Sequence, residues 1–232
     1  MLEVNSIYLY RNRKQVFKDF SLNLKNSEIV LLEGENGVGK TSLLNMISGL
    51  ISPDKGFIKI FKKSIIELGD QRKKIFTYIP DKNCLKDNLS VNENLKNWLK
   101  LSDLTVNNNN YQKALKTFSL YNIQESLVKN LSHGQKKKVA LTKLLFSKTK
   151  LWLLDEPLNG LDTKTITALK KIMVQHIKKN GSILFSSHVK LDVKLTKRII
   201  LKKITNKFNF DLLNKWENFK WKVSKIYFTE NL

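Results

Sequence analysis

Gly34-Glu35-Asn36-Gly37-Val38-Gly39-Lys40-Thr41 is the stretch that decides how this chain is read. The apolar run Ile29-Val30-Leu31-Leu32 precedes it, and Ser42-Leu43-Leu44-Asn45-Met46-Ile47, with helical spacing, follows. Strand, glycine-rich loop, helix start is the setting in which a GxxxxGK[ST] pattern carries chemistry. Glycines let the backbone curl until its N–H groups face phosphate oxygens, and the helix N-terminus adds a positive field. In such a loop, running from Gly34 to Ser42, Lys40 reaches the β- and γ-phosphates and the Thr41 hydroxyl ligates Mg²⁺. The stretch reads as a nucleoside triphosphate site.

The 232 residues are enough for one large domain, or a domain with a small insertion, with a full core. A hydrophobic share of 41% and a charged share of 27% are those of an ordinary globular chain. The formal charge of +22 is not ordinary. It fits a polyanionic partner, nucleic acid or an anionic membrane surface. It also fits the base bias of an AT-rich genome, since lysine, asparagine and isoleucine are abundant while arginine and proline are scarce. The second cause is the stronger, so charge alone assigns no partner. The single Cys84 excludes an internal disulfide framework and fits a reducing compartment. No apolar run approaches the roughly 18 residues of a spanning helix. Met1-Leu2-Glu3-Val4-Asn5-Ser6 has neither a signal-peptide core nor an arginine-rich presequence, so the expectation is a protein that stays where it is made.

Upstream of the loop, Leu2 and Val4, then Phe20, Leu22 and Leu24, alternate with polar residues as half-buried antiparallel strands do. Tyr8, Tyr10 and Phe17 lie between them, and Tyr10, at the end of the first strand, is the candidate to stack on an adenine ring. Downstream, Gly56 to Phe61 and Ile75 to Ile79 read as strands, the second ended by Pro80. From Asp87 to Leu127 the spacing turns helical, with Val91, Leu95, Trp98 and Leu99 on one face. Asn107-Asn108-Asn109-Asn110 reads as a polar linker.

Leu131-Ser132-His133-Gly134-Gln135 opens another helical run, in which Ser132 caps and Gly134 permits close backbone approach. This is a second anion-seeking helix N-terminus. Leu151-Trp152-Leu153-Leu154-Asp155-Glu156 then delivers two carboxylates at the end of an apolar strand, where ligands of parallel sheets gather. Asp155 suits Mg²⁺, directly or through water, and Glu156 suits a base that orients attacking water. Asn159-Gly160-Leu161-Asp162 is a turn with a further carboxylate, and Ser182 to Ser186 is the next strand, with His188 just past its end.

In this order the motifs resemble the ATP-binding subunits of ATP-binding cassette (ABC) transporters, from Met1 to Leu201. The resemblance implies an α/β P-loop NTPase cassette with an antiparallel β subdomain and a helical subdomain inserted at about 82–148. It implies catalytic roles for Lys40, Glu156 and His188, the last as a γ-phosphate contact. It places ATP on Gly34 to Ser42 and Tyr10, Mg²⁺ on Thr41 and Asp155, and the ATP of a second, head-to-tail copy on Ser132, Gly134, Gln135 and Asp162. Closure of that dimer drives a membrane permease. Gln135 with Lys136-Lys137-Lys138-Val139-Ala140-Leu141, and Leu151 to Pro157, look most like the cytochrome c maturation branch, linked to haem export. That implies peripheral attachment to a mitochondrial inner membrane (matrix side) or a bacterial inner membrane (cytoplasmic side), haem handled only indirectly, and no nucleic acid partner.

Two departures stand out. The family expects a glutamine after the strand Ile75 to Ile79, where this chain has Lys82 beside Asp81, so Mg²⁺ binding or coupling is altered. Residues 202–232 extend beyond the cassette, with Leu212, Leu213, Trp216, Phe219 and Val223 at helical spacing and Trp221 beside them. The extension is either an amphipathic helix on a membrane or permease, or a packed terminal helix. Other readings are another transporter's ATPase, a nucleic-acid-linked ABC ATPase or a non-hydrolysing regulatory subunit. The short, heptad-free stretch between Lys40 and Leu131 argues against the second, and Glu156 and His188 against the third.

Overall fold

The computed structural model describes residues 1–12, 14–82, 84–189 and 193–204. In chain order its elements are β1 (Leu2–Arg11), β2 (Lys14–Leu24), β3 (Ile29–Glu33), α1 (Lys40–Ile47), β4 (Lys55–Ile60) and β5 (Lys63–Ser64). There follow α2 (Arg72–Ile75), β6 (Phe76–Ile79), α3 (Val91–Leu101), α4 (Asn108–Thr117) and α5 (His133–Phe146). The last are β7 (Leu151–Leu154), α6 (Thr163–Lys178), β8 (Ser182–Ser186) and β9 (Lys197–Ile200). The expected amphipathic run around Trp216 and Trp221 lies outside the described residues.

Among the described residues two sheets form, and sequence pattern separates them. The alternating strands make a four-stranded antiparallel sheet in the order β2-β1-β4-β5. The continuous apolar runs make a parallel sheet in the order β6-β7-β8-β3-β9. Parallel strands are covered on both faces, which is why Ile29, Val30, Leu31 and Leu32 are all buried. Successive side chains of a strand point to opposite faces. Accordingly Ile29, Leu31, Trp152, Leu154, Ile183 and Phe185 join one apolar cluster, with α3, α4, α5 and α6. Val30, Leu32, Leu151, Leu153 and Leu184 join another, with α1 and the antiparallel sheet.

The polar linker expected at Asn107 to Asn110 is instead a helix start. Asn107 caps α4 by accepting from Asn110 N–H at 2.8 Å, and the other asparagines form its first turn. Asparagine competes poorly for helix interiors but satisfies an orphan N–H at the cap. Capping boxes at Ser90–Glu93 and Ser132–Gln135 begin α3 and α5. The carboxyl ends of β3, β6, β7 and β8 lie together, so Gly34, Asp81, Asp155 and His188 emerge at one edge of the sheet. Ligand sites of open parallel sheets form at such an edge.

Candidate nucleotide site

The phosphate loop is shaped by its glycines. Gly39 caps α1 with φ 112°, and a Cβ there would come within 2.7 Å of Val16 Cγ1 and 3.1 Å of the Phe17 ring. Only glycine fits both that dihedral and that space. No side chain caps the α1 N-terminus, so its first N–H groups face outward, as an anion site requires. Val38 is buried in the core and anchors the loop.

Lys40 is 7% exposed, and its ammonium donates to the carbonyls of Gly34 at 2.8 Å and Glu35 at 3.2 Å. The same Nζ is 2.8 Å from His188 Nε2 and 3.9 Å from Glu156 Oε1. A lysine ammonium has only donors, so the ring nitrogen accepts. His188 Nε2 also lies 3.3 Å from Glu156 Oε1, and His188 N–H donates to Glu156 Oε2 at 3.2 Å. Lys40, Glu156 and His188, far apart in sequence, therefore meet around one point.

The two acids differ in setting. Asp155 is fully buried, with Oδ1 accepting from Ser186 Oγ at 2.6 Å and Oδ2 without a hydrogen-bond partner among the described residues. Glu156 is 8% exposed, and its backbone sits at φ 45°. That left-handed conformation costs about 1–2 kcal/mol for a non-glycine residue. It is held by Glu156 N–H donating to Ser186 Oγ at 2.9 Å. Thr41 and Ser42 occupy the first turn of α1, Thr41 exposed.

The second glycine motif lies elsewhere. Ser132 Oγ accepts from Gln135 N–H at 3.2 Å, and Gln135 Oε1 accepts from Ser132 N–H at 2.8 Å. Gly134 meets the Asn159–Asp162 turn: a Cβ on it would come within 2.5 Å of the Gly160 carbonyl. Asp162 caps α6 through Thr165 N–H at 2.8 Å and pairs with Lys138 Nζ at 2.6 Å. Those bonds hold its carboxyl well below the usual carboxylate range, the Lys138 hydrogen bond contributing most. Among the described residues no hydrogen bond or ion pair joins Ser132, Gly134, Gln135 or Asp162 to the phosphate loop.

Of the three aromatic candidates, Phe17 is buried against Gly39 and cannot present a face to a base. Tyr8 has Lys55 Nζ 6.0 Å over its ring. Tyr10 pairs across the hairpin with Gln15, whose Nε2 donates to its hydroxyl at 3.1 Å, one residue before the Val16 that touches Gly39. Past β6, Lys82 is exposed, and the neighbouring Asp81 is the residue turned toward the site's support.

Two contributors were not singled out by the sequence reading. Ser186 bonds both Asp155 and Glu156. A serine following the apolar Ile183-Leu184-Phe185 of β8 is its only sequence trace. Lys137 is fully buried, its Nζ 3.2 Å from the Asp81 carbonyl, 3.4 Å from Asp81 Oδ1 and 3.4 Å from the Asp155 carbonyl. Burial pushes its pKa below that of an ordinary lysine, while the Asp81, Asp155 and Glu156 carboxylates act the other way.

The site therefore combines an uncapped helix N-terminus, a lysine among loop carbonyls, a buried acid with a spare oxygen and a strained glutamate beside a histidine. The family model of ABC transporters matches residues 17–159. The cytochrome c biogenesis ATP-binding export protein CcmA of Dechloromonas aromatica is 33% identical over 83% of this chain and 95% of its own length. The protein of the same name from Reclinomonas americana is 33% identical over 89% of this chain and 93% of its own. A solved ATP-binding subunit of an ABC transporter superposes with a TM-score of 0.78 at 26% identity, over 94% of this chain and 93% of that one. An ATP-binding cassette solved as a dimer in a post-hydrolysis state with ADP and Pi shares the fold, with a TM-score of 0.75 at 22% identity over 89% and 97% of the two chains. With a matching domain over most of its length and relatives this similar over nearly all of theirs, the chain belongs to the ABC transporter family as an ATP-hydrolysing subunit, in the group of the CcmA proteins.

Proposed function

We propose that this chain powers a membrane complex of cytochrome c biogenesis, hydrolysing ATP to drive haem export or release of haem to its chaperone. The observation that carries the reading is similarity at 33% to CcmA proteins over almost their whole length, joined to the convergence of Lys40, Glu156 and His188. Lys40 exchanges the Gly34 and Glu35 carbonyls for the β- and γ-phosphates, and the first N–H groups of α1 bind the same oxygens. Glu156 orients the attacking water and takes its proton, and His188 contacts the γ-phosphate. Asp155 Oδ2, buried and without a hydrogen-bond partner among the described residues, fits a Mg²⁺ ion held jointly with the Thr41 hydroxyl. Held there, Mg²⁺ would neutralise part of the phosphate charge as it develops.

Ser132, Gly134, Gln135 and Asp162 act on the ATP of a second copy, arranged head to tail. Support comes from their position: in one chain they lie with Gly160 and Lys138 and leave the phosphate loop uncovered on its outer side. Tyr10 stacks on the adenine. The work is delivered to a permease partner from a peripheral position; among the described residues no helix is long and apolar enough to cross a membrane. The cassette proper comprises 1–201, whose last residue packs against Gly34. The compartment is the mitochondrial matrix face or the bacterial cytoplasmic face of an inner membrane.

The test is a haem stain of membrane proteins from cells with the chain deleted or carrying Lys40→Ala. Covalent haem on c-type cytochromes disappears while b-type haem proteins stay normal. Normal c-type bands overturn the pathway and leave the ATPase standing.

A further inference from the structure

The basic run Lys136-Lys137-Lys138 looks from its sequence like a solvated helix face, and the structure splits it three ways. Lys136 Nζ reaches Asp87 Oδ1 at 3.1 Å and Lys138 Nζ reaches Asp162 Oδ2 at 2.6 Å, both at the surface. Lys137 turns inward and is 0% exposed. Lysine is almost never fully buried unless paired, because desolvating an ammonium costs several kcal/mol. A helix that could carry an apolar residue there carries a charge instead, and the acceptors of that charge show what it does.

Two of the three acceptors are backbone carbonyls at strand ends, that of Asp81 past β6 and that of Asp155 past β7. The Asp155 carbonyl belongs to the peptide unit whose N–H is that of Glu156. The N–H end of that unit is held by Ser186 Oγ at 2.9 Å, from β8. One peptide plane is therefore gripped at both ends, by Lys137 from α5 and by Ser186 from the neighbouring strand. It is the plane that leads into Glu156 at φ 45°. An alternative peptide orientation would relieve that dihedral and swing the Glu156 carboxylate away from His188 and Lys40.

We propose that Lys137 is a positioning residue for ATP hydrolysis, fixing from α5 the peptide that aims Glu156. The inference rests on the reading of Glu156 as the base. It assigns Lys137 no contact with nucleotide, so its loss acts on turnover and spares binding. Asp81 is the lesser member of the pair, since half its carboxylate surface stays open to solvent and its carbonyl is retained in any side-chain variant.

The test compares Lys137→Met, Lys137→Gln and Asp81→Asn in the full chain, measuring kcat, the Kd for ATP and Tm, with Glu156→Gln alongside. Methionine matches the stem without a donor, whereas glutamine can still donate to a carbonyl. The expected result is a kcat lower by about tenfold or more in Lys137→Met with Kd within about threefold, partial recovery in Lys137→Gln, and a smaller loss in Asp81→Asn. Turnover of Lys137→Met within about twofold of the parent, while Glu156→Gln is inactive, overturns the role of Lys137 alone. Losses in kcat, Kd and Tm that move together, without recovery in Lys137→Gln, overturn it in favour of simple packing. Should Lys137→Met fail to fold, Lys137→Ala decides: reduced kcat at unchanged Kd supports the proposal, and parental kcat overturns it. Full turnover in Glu156→Gln removes the base and this inference with it.

Discussion

The two glycine motifs both open a helix, yet they are built on opposite plans. At the phosphate loop the α1 N-terminus carries no side-chain cap, and Glu156 and His188, from past the ends of β7 and β8, converge on Lys40 at its start. At the Leu131–Gln135 motif the α5 N-terminus carries a Ser132–Gln135 capping box, and the nearby charges, Lys138 and Asp162, are already paired. A helix start that leaves its donors open is free to take a phosphate, whereas the capping box spends the Ser132 hydroxyl and the Gln135 N–H on each other when no ligand is present. The first motif is the half that binds in a single chain. On the proposed function, the second is the half presented to another copy.

The contrast breaks most readily at Glu156. Glu156→Gln lowers kcat by roughly 10²–10⁴, the usual worth of a positioned base, while ATP still binds and traps the dimer. Steady-state hydrolysis and size-exclusion chromatography with ATP check it, and unchanged turnover removes the assignment. Next is Lys40→Ala, which weakens ATP binding by about 10²-fold, since a charge-assisted contact to phosphate is lost inside a mostly buried loop. Titration with a fluorescent ATP analogue reads it directly, and parental affinity would mean that the loop amides alone hold the phosphates.

A third measurement uses the far end of the sheet as a reference. His176 stacks on Trp152 with ring centroids 3.7 Å apart, and burial pushes its pKa down to about 4. The unfolded chain takes up this proton first, near pH 6.5, so stability is constant above that pH, falls between pH 6.5 and 4, and levels off below. Between pH 7 and 4.5 the loss is at most about 2 kcal/mol, lessened by the solvent that still reaches the ring, and it is absent in His176→Gln. Denaturant unfolding at pH 7 and pH 4.5 tests it, and equal acid losses in both proteins would refute a buried neutral imidazole.

The smallest effect sharpens the comparison at its other side. Ser132→Ala costs about 1 kcal/mol of stability, because the hydroxyl is spent on Gln135 N–H. Thr41→Ala has no cap to lose, and it acts on Mg²⁺-dependent ATP affinity instead. A thermal melt of both variants without nucleotide separates them, and equal shifts would erase the distinction between the two helix starts.

Most of the nucleotide site is local in sequence, and so it was legible. Gly34 to Thr41 sits between a strand and a helix, and Asp155-Glu156 follows four apolar residues. Each depends on backbone geometry within a few residues. Asn107 to Asn110 depart from the expected linker because asparagine serves loops and caps equally, and only the chain's direction after Asn107 tells which.

By itself the sequence determined the phosphate loop, the Leu131–Gln135 motif, the acid pair and the two kinds of sheet, because turn chemistry and hydrophobic periodicity act over short range. Tertiary structure alone decided that Lys137 is buried between two flanking lysines that are not, that Ser186 bonds both acids, and that Asp81 rather than Lys82 faces inward. Those facts depend on which strands are neighbours and on how α5 is rotated against them. A solvated and a buried lysine have the same letter, and only the acceptors brought within 3.4 Å of its ammonium by distant strands tell them apart.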